Sequence, residues 1–276
     1  MLDRRSIPAL LGFVLMLAAT PAARGAVNAQ VVPVKYSLTC RPGEAVVRDV
    51  EIANQGEAPV VVRVTWSDWQ MDEAGNLTLV PEGSTPGTLK GLVDFEPQEF
   101  SIGPHESGHV HVTARMPADG PATRWGVMLS EVKPVAAATP QLGPRASAQL
   151  GTTFYLSRVP AEIVNAEVVG MAFKPLGTSL AVSIRVRNAG ERHYYLGGRI
   201  ALADSTGQAV AGGDLPTGVV LPGQTRTFQW VCAAAFLPGR YLATATLDTG
   251  APELTVVEGH FAWPLPRART LAAERP

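Results

Sequence analysis

The chain has 276 residues, of which 46% are hydrophobic and 17% are charged, and its 23 Lys+Arg and 24 Asp+Glu give a formal net charge of -1. A chain with almost no net charge has no overall electrostatic field that would attract a nucleic acid or an anionic membrane, so we expect neither as a partner. The 27 Gly and 23 Pro suit many short strands separated by turns, which indicates an all-β protein.

Residues 1–29 have the pattern of a secretory signal peptide. Arg4 and Arg5 precede an apolar run over residues 7–19, and small residues follow it. This run is shorter than the roughly 20 apolar residues of a membrane-spanning helix, and no later stretch is long and apolar enough, so we expect export without stable membrane insertion. Cleavage fits after Gly25 and after Ala29, and both positions remain open.

Alternation of apolar and polar residues with a period of two dominates from Val31 onward. It is clearest over residues 60–67 and 109–114 in the first half and over 180–187 and 241–248 in the second. Such alternation is typical of strands with one buried face and one solvent-exposed face. Turns rich in Gly, Pro and Asn separate the strands at the spacing of a β-sandwich.

The predicted fold is therefore all-β, with two tandem immunoglobulin-like β-sandwich domains. The first occupies residues 30–160, the second occupies 161–264, and residues 265–276 form a flexible tail. Each domain is large enough to have its own core. In the second, the segment 237–241 resembles a tyrosine corner, in which the hydroxyl of Tyr241 bonds backward to the main chain.

The two cysteines, Cys40 and Cys232, fall in different predicted domains. Exported proteins often pair their cysteines, so an interdomain disulfide is one possibility. The other is that each cysteine is a small buried hydrophobe. The register of Cys232 with Phe228 and Trp230 on one strand favours the second possibility.

Residues 105–109, HESGH, match the H-E-x-x-H motif of zinc proteases. That chemistry needs a helix, because only helical spacing places both histidines on one face beside the metal. Gly103 and Pro104 precede the motif and strand alternation begins at His109, so we predict a β-turn and no metal site. No nucleophile elbow and no Cys–His pair is recognisable either, so we expect neither enzymatic activity nor a cofactor.

An acidic stretch near Asp68, Asp72 and Glu73 could suggest a calcium loop. It lacks the alternating oxygen ligands that such a loop needs. The dipeptide Gly75-Asn76 at its centre is typical of a hairpin turn, which is the structure that we predict.

Four stretches of the first domain carry a resemblance to a known family. Residues 32–38 are VPVKYSL, residues 50–56 are VEIANQG, residues 66–75 join tryptophans to the acidic hairpin, and residues 95–117 contain prolines ahead of an alternating strand. In this order they resemble the N-terminal domain of the PapD-like periplasmic pilus (fimbrial) chaperones. The second domain resembles only a generic immunoglobulin-like module.

This resemblance implies a periplasmic chaperone that binds a pilus or other surface-appendage subunit and assists its assembly, with an outer-membrane usher as a further partner. Such chaperones add a strand to an incomplete subunit and hold the subunit's C-terminal carboxylate with basic residues in a cleft. The alternative is a structural or adhesive component of a surface appendage that uses both sandwiches as spacers.

The resemblance also implies which residues bind the partner. Lys35 stands where the family usually has a carboxylate-binding arginine, which keeps the charge but not the bidentate fork. Arg158 is the nearest substitute for the family's second basic residue. The candidate donor strand follows a mobile loop over residues 134–145, and its apolar face contains Ala146, Ala148, Leu150, Thr152, Phe154 and Leu156.

Overall fold

The computed structural model describes four stretches of the chain: residues 27–135, 146–160, 164–233 and 236–265. The predicted signal peptide (1–29), loop (134–145) and tail (265–276) lie largely outside these stretches. Within them, no helix is long and apolar enough to cross a membrane. The first strand begins at Ala29, so cleavage after Gly25 would leave this strand whole, whereas cleavage after Ala29 would remove its first residue.

The first sandwich contains ten strands, in chain order β1 (Ala29–Val32), β2 (Lys35–Cys40), β3 (Ala45–Asn54), β4 (Val60–Met71), β5 (Leu77–Val80), β6 (Val93–Glu96), β7 (Glu99–Ile102), β8 (Ser107–Arg115), β9 (Thr123–Pro134) and β10 (Ala148–Arg158). One sheet has the order β1-β3-β8-β6. The other has the order β2-β10-β9-β4-β5, with β7 also paired to β4. The pairing of β2 with β10 is parallel, and the other ladders of this sandwich are antiparallel.

Alternate side chains of the two sheets fill the first core. Val62 of β4 and Val110 of β8 are fully buried, as their alternation predicts. The ring of Phe154 on β10 lies 5.2 Å from that of Tyr36 and 5.4 Å from that of Trp66. These ring contacts join β10 to β2 and β4 within the core.

The second sandwich contains seven strands, in chain order β11 (Ala166–Leu176), β12 (Ser179–Asn188), β13 (Tyr194–Asp204), β14 (Ala209–Val220), β15 (Thr225–Ala233), β16 (Gly239–Asp248) and β17 (Thr255–Trp263). Its sheets have the orders β11-β12-β15 and β14-β13-β16-β17. The hydroxyl of Tyr241 donates a hydrogen bond of 2.7 Å to the carbonyl of Leu237, which confirms the tyrosine corner. The all-β fold of two tandem sandwiches is confirmed.

The two cysteines are free and buried. Cys40 ends β2 and packs in the first core, where its Sγ lies 3.2 Å from the carbonyl oxygen of Glu44. Cys232 lies on β15 opposite Leu180. The structure therefore contains no interdomain disulfide, and the cysteines serve as small apolar side chains.

Both predicted turns are present. The acidic stretch is the β4–β5 hairpin, in which Gly75 has a φ of 97° and the Asp72 carboxylate accepts a 2.8 Å bond from the backbone N–H of Asn76. In the H-E-x-x-H segment, the Gly103 carbonyl accepts from the N–H of Glu106, and β8 begins at Ser107. The two histidines of the motif are thus split between a turn and a strand.

Candidate partner-binding cleft

The last strand of the first sandwich is paired on both sides along only half of its length. β10 pairs with β9 from Ala148 to Ser157, but with β2 only from Thr153 onward. Within the described part of the chain, residues 148–152 therefore form an edge that is paired on the β9 side alone. Unpaired N–H and C=O groups along such an edge can accept a strand from another chain.

The predicted donor face divides into two parts. Ala148 and Leu150 are half-buried at the rim of the first core, on the edge segment. Thr152, Phe154 and Leu156 are buried inside the sandwich, where the Thr152 hydroxyl donates a 2.9 Å bond to the carbonyl of Pro33. In this arrangement these three residues support the strand, and their direct contact with a partner stays a prediction.

Lys35 lies at the point where β2 joins β10, opposite Thr153. Lys35 and Ser37 of β2 share a face with Thr153 and Tyr155 of β10, because alternate side chains of a sheet point the same way. This face is turned toward the second sandwich. Lys35 is exposed, and its Nζ lies 3.8 Å from the centroid of the Tyr195 ring on β13.

Arg158 lies on the other face of β10, among the even-numbered residues. It is paired with Cys40, so about 16 Å of strand separates it from Lys35. Its Nη1 donates a 2.7 Å bond to the carbonyl of Ala118. The structure therefore does not bring Lys35 and Arg158 together into one basic site.

Apolar side chains fill the contact between the sandwiches. We call them the interdomain cluster: Trp69, Trp125, Val127, Tyr155, Val219 and Leu221. The Nε1 of Trp125 donates a 3.1 Å bond to the carbonyl of Trp69, and the rings of Trp69 and Tyr155 meet edge to face at 5.9 Å. This cluster and the nearby Lys35–Tyr195 contact lie at the boundary between the two sandwiches, which we call the cleft.

His193 packs against the interdomain cluster on the side nearest Lys35. Its imidazole is stacked on the Tyr155 ring at 4.3 Å, and its Nε2 lies 3.4 Å from the Oγ of Ser37. Burial, assisted by the positive charges of Arg192 and Lys35, lowers the pKa of His193 to about 4. The ring is therefore neutral at neutral pH. Burial, followed by the bond to Tyr195, raises the pKa of the Tyr155 phenol.

A second contact between the sandwiches is made by the β4–β5 turn, residues 72–76, which we call the hairpin latch. The carboxylate of Glu73 accepts two bonds from the guanidinium of Arg185 on β12, at 3.0 and 3.2 Å. The Glu73 carbonyl accepts a third, at 2.6 Å, from the backbone N–H of Thr227 on β15. The latch is thus hydrogen-bonded to the second sandwich through both the side chain and the main chain of Glu73.

Arg226 lies beneath the latch and is 7% exposed. Its Nη1 donates a 2.7 Å bond to the carbonyl of Val219 and also contacts the Sδ of Met71. Burial lowers the pKa of Arg226. A Cβ at Gly75 would lie 2.3 Å from its Nη2, so a side chain at position 75 would require the guanidinium to shift.

The second sandwich's share of the cleft was missed from sequence. One signal was present: the adjacent aromatic residues Tyr194 and Tyr195 at the start of β13 point to opposite faces, so one of them must contact a layer outside its own core. Likewise Val127 and Met128 lie on opposite faces of β9, and both are buried. A strand that is apolar on both faces indicates a second covering layer.

No protein-family model matches the chain, and no curated protein sequence matches it. Solved structures to which it is similar include several chaperones. One is the YadV chaperone, at 12% identity over 85% of this chain and 98% of that chain, with a TM-score of 0.44. Another is the class 5 fimbriae chaperone CfaA, at 9% identity over 84% and 98%, with a TM-score of 0.45.

The CupB2 chaperone of Pseudomonas aeruginosa is similar at 13% identity over 83% of this chain and 98% of that chain, with a TM-score of 0.39. In all three cases the likeness extends over both sandwiches, whereas the resemblance in sequence was limited to the first. At such identities and TM-scores the likeness concerns the fold and does not assign a function.

Proposed function

We propose that the chain is a non-enzymatic, periplasmic chaperone-like protein that binds a pilus or other surface-appendage subunit by β-strand addition. The observation that carries this proposal is the edge segment 148–152 of β10, paired only on the β9 side. Main-chain bonds to such an edge supply affinity, and alternate side chains supply specificity. Here those side chains are Ala148 and Leu150, which suit shallow pockets in the partner.

The position of Lys35 supports the same proposal. It lies at the end of the edge segment, opposite Thr153, so a partner strand running along the edge would reach it. Its exposed ammonium can pair with the partner's terminal carboxylate. A lysine acts as a point charge, so this anchor is monodentate and weakens with salt.

The test is co-purification of exported proteins with the tagged full chain from its own host. The proposal expects a surface-appendage subunit to co-purify, and expects the double variant Lys35→Ala, Leu150→Lys to reduce its amount by at least about tenfold. Gln149→Lys is the matched control, because Gln149 is exposed and points to the opposite face of the same strand. An unchanged amount of subunit with the double variant would rule out strand addition at this edge.

Cell fractionation separates this proposal from its alternative. A chaperone stays in the soluble periplasmic fraction, and an outer-membrane usher would be its second partner. A structural or adhesive component would instead be recovered with sheared surface filaments. Recovery of most of the protein in that filament fraction would contradict the chaperone proposal and support the spacer function.

A further inference from the structure

Among the described residues, the Lys35 ammonium has no ion-pair partner and lies over an aromatic ring. No carboxylate of these residues lies within ion-pair distance of its Nζ, whereas the Tyr195 ring centroid is 3.8 Å away. A cation this close to an aromatic face is attracted by the ring quadrupole. The two groups come from different sandwiches, Lys35 from β2 and Tyr195 from β13.

The Tyr195 ring is itself fixed in place. It meets the ring of Tyr155 edge to face at 6.3 Å and the imidazole of His193 in the same way at 6.3 Å. Tyr195 is half-buried, and it lies at the paired start of β13, opposite Val219. The surface beside Lys35 is therefore an aromatic ring packed against two other rings, which we call the aromatic platform.

An aromatic platform holds a lysine in a way that suits a carboxylate anchor. An acidic side chain in the same place would neutralise the ammonium, and a ligand carboxylate would have to displace it. A ring attracts the cation but leaves its full charge for a ligand. It also restricts a long flexible stem, whose ordering would otherwise reduce the affinity.

We propose that Tyr195 is a positioning residue for Lys35, so that the second sandwich prepares the carboxylate anchor of the first. This inference rests on the proposed function, because the ligand in question is the C-terminal carboxylate of the bound subunit. It adds that the anchor is a site shared between the two domains. The second sandwich is then part of the recognition surface and not only a neighbour of it.

The position of the ammonium can be tested without any partner. The chain has four lysines, so reductive methylation with ¹³C-labelled formaldehyde gives a simple NMR spectrum in which each dimethylammonium keeps its charge. The ring should shift the Lys35 signal upfield in the native chain and in Tyr195→Phe, and Tyr195→Leu should remove this shift. Lys133, which pairs with Glu131 at 2.7 Å, is the internal control. A Lys35 signal unchanged in Tyr195→Leu would overturn the proposal.

The effect on binding is measured with a peptide of the last fifteen residues of the co-purified subunit, with a free or an amidated C-terminus. Tyr195→Leu should lower the preference for the free carboxylate about two- to fivefold, the range of exposed cation–π contacts, and Tyr195→Phe should restore it. If Lys35→Ala keeps the preference, the anchor in the proposed function is wrong. If Lys35→Ala abolishes the preference while Tyr195→Leu keeps it in full, only the role of Tyr195 is wrong.

Discussion

The two contacts between the sandwiches have opposite chemistry. The interdomain cluster is apolar, and its Trp69 and Leu221 are fully buried. The hairpin latch is polar, and the side chains of its Arg185–Glu73 pair are 47% and 54% exposed. Burial of apolar area supplies most of the free energy of such contacts, whereas an exposed ion pair contributes little. We infer that the cluster holds the sandwiches together and that the latch fixes their orientation.

The largest expected effect follows from removing the centre of the cluster. Trp125→Ala should lower the free energy of unfolding by about 3–5 kcal/mol, because it removes a buried ring and leaves a cavity. Urea denaturation measures this loss. Leu254→Ala is the control, since Leu254 is 57% exposed and its truncation should change stability by less than about 0.5 kcal/mol. Equal effects of the two variants would show that the cluster does not stabilise the chain.

The next largest effect is expected at acid pH, which should weaken the interdomain cluster. The folded chain holds His193 at a pKa of about 4, below the ordinary 6.5, so the unfolded chain binds the proton more readily. The stability contributed by neutral His193 is complete above pH 6.5 and falls as the pH drops toward 4, by up to roughly 3 kcal/mol.

Denaturation measured between pH 7 and pH 4 shows this loss as a slope. The groups that face the imidazole are Lys35, Ser37, Tyr155 and Tyr195, and Arg192 adds a nearby positive charge. His193→Gln should remove this part of the slope. A slope unchanged in His193→Gln would contradict the assignment to His193.

A smaller effect is expected where the latch meets Arg226. Gly75→Ala combines a strained φ of 97° with a clash against the buried guanidinium. Gly43→Ala is the matched control, because Gly43 has a φ of 81° and nothing within 4 Å of a new Cβ. Thermal unfolding should show Gly75→Ala to be the more destabilising of the two by about 1 kcal/mol. Equal losses of stability in the two variants would mean that the clash between position 75 and Arg226 costs no free energy.

The smallest effect should come from the ion pair of the latch. Glu73→Gln should cost about 0.2–1 kcal/mol at low salt and nearly nothing at 1 M salt, because the pair is screened. Glu131→Gln is the control, since its pair with Lys133 lies within the first sandwich. Double labelling of the two sandwiches should show a broader spread of distances for Glu73→Gln only. An unchanged spread would remove the orienting role of Glu73.

Much of the fold was predictable because its cause is local. Alternation at Val60, Val62 and Val64 predicted their burial, and the segment 237–241 predicted the tyrosine corner. The faces of β10 were also predicted correctly as two sets of alternate residues. Alternation cannot tell which set points into its own core, however. Phe154 and Leu156, which the family resemblance placed on the donor face, are buried inside the sandwich, and their contact with a partner stays a prediction.

The cleft was less predictable, because its residues come from both sandwiches. Lys35 was found through its resemblance to a family motif, but its neighbours His193 and Tyr195 are more than 150 positions away. Their approach depends on the angle between the domains, which local sequence patterns do not contain. Arg158 belongs to the first sandwich, as Lys35 does, but lies on the opposite face of β10, and its contact with a partner stays a prediction.

The parallel pairing of β2 with β10 has a mechanical consequence. These strands lie near the two ends of the first sandwich and share six residue pairs, from Lys35 and Thr153 to Cys40 and Arg158. Tension applied along the chain therefore loads these pairs together in shear, and they cannot open one at a time as in a zipper. The edge segment can exchange partners at its free end while the base of the same strand stays clamped.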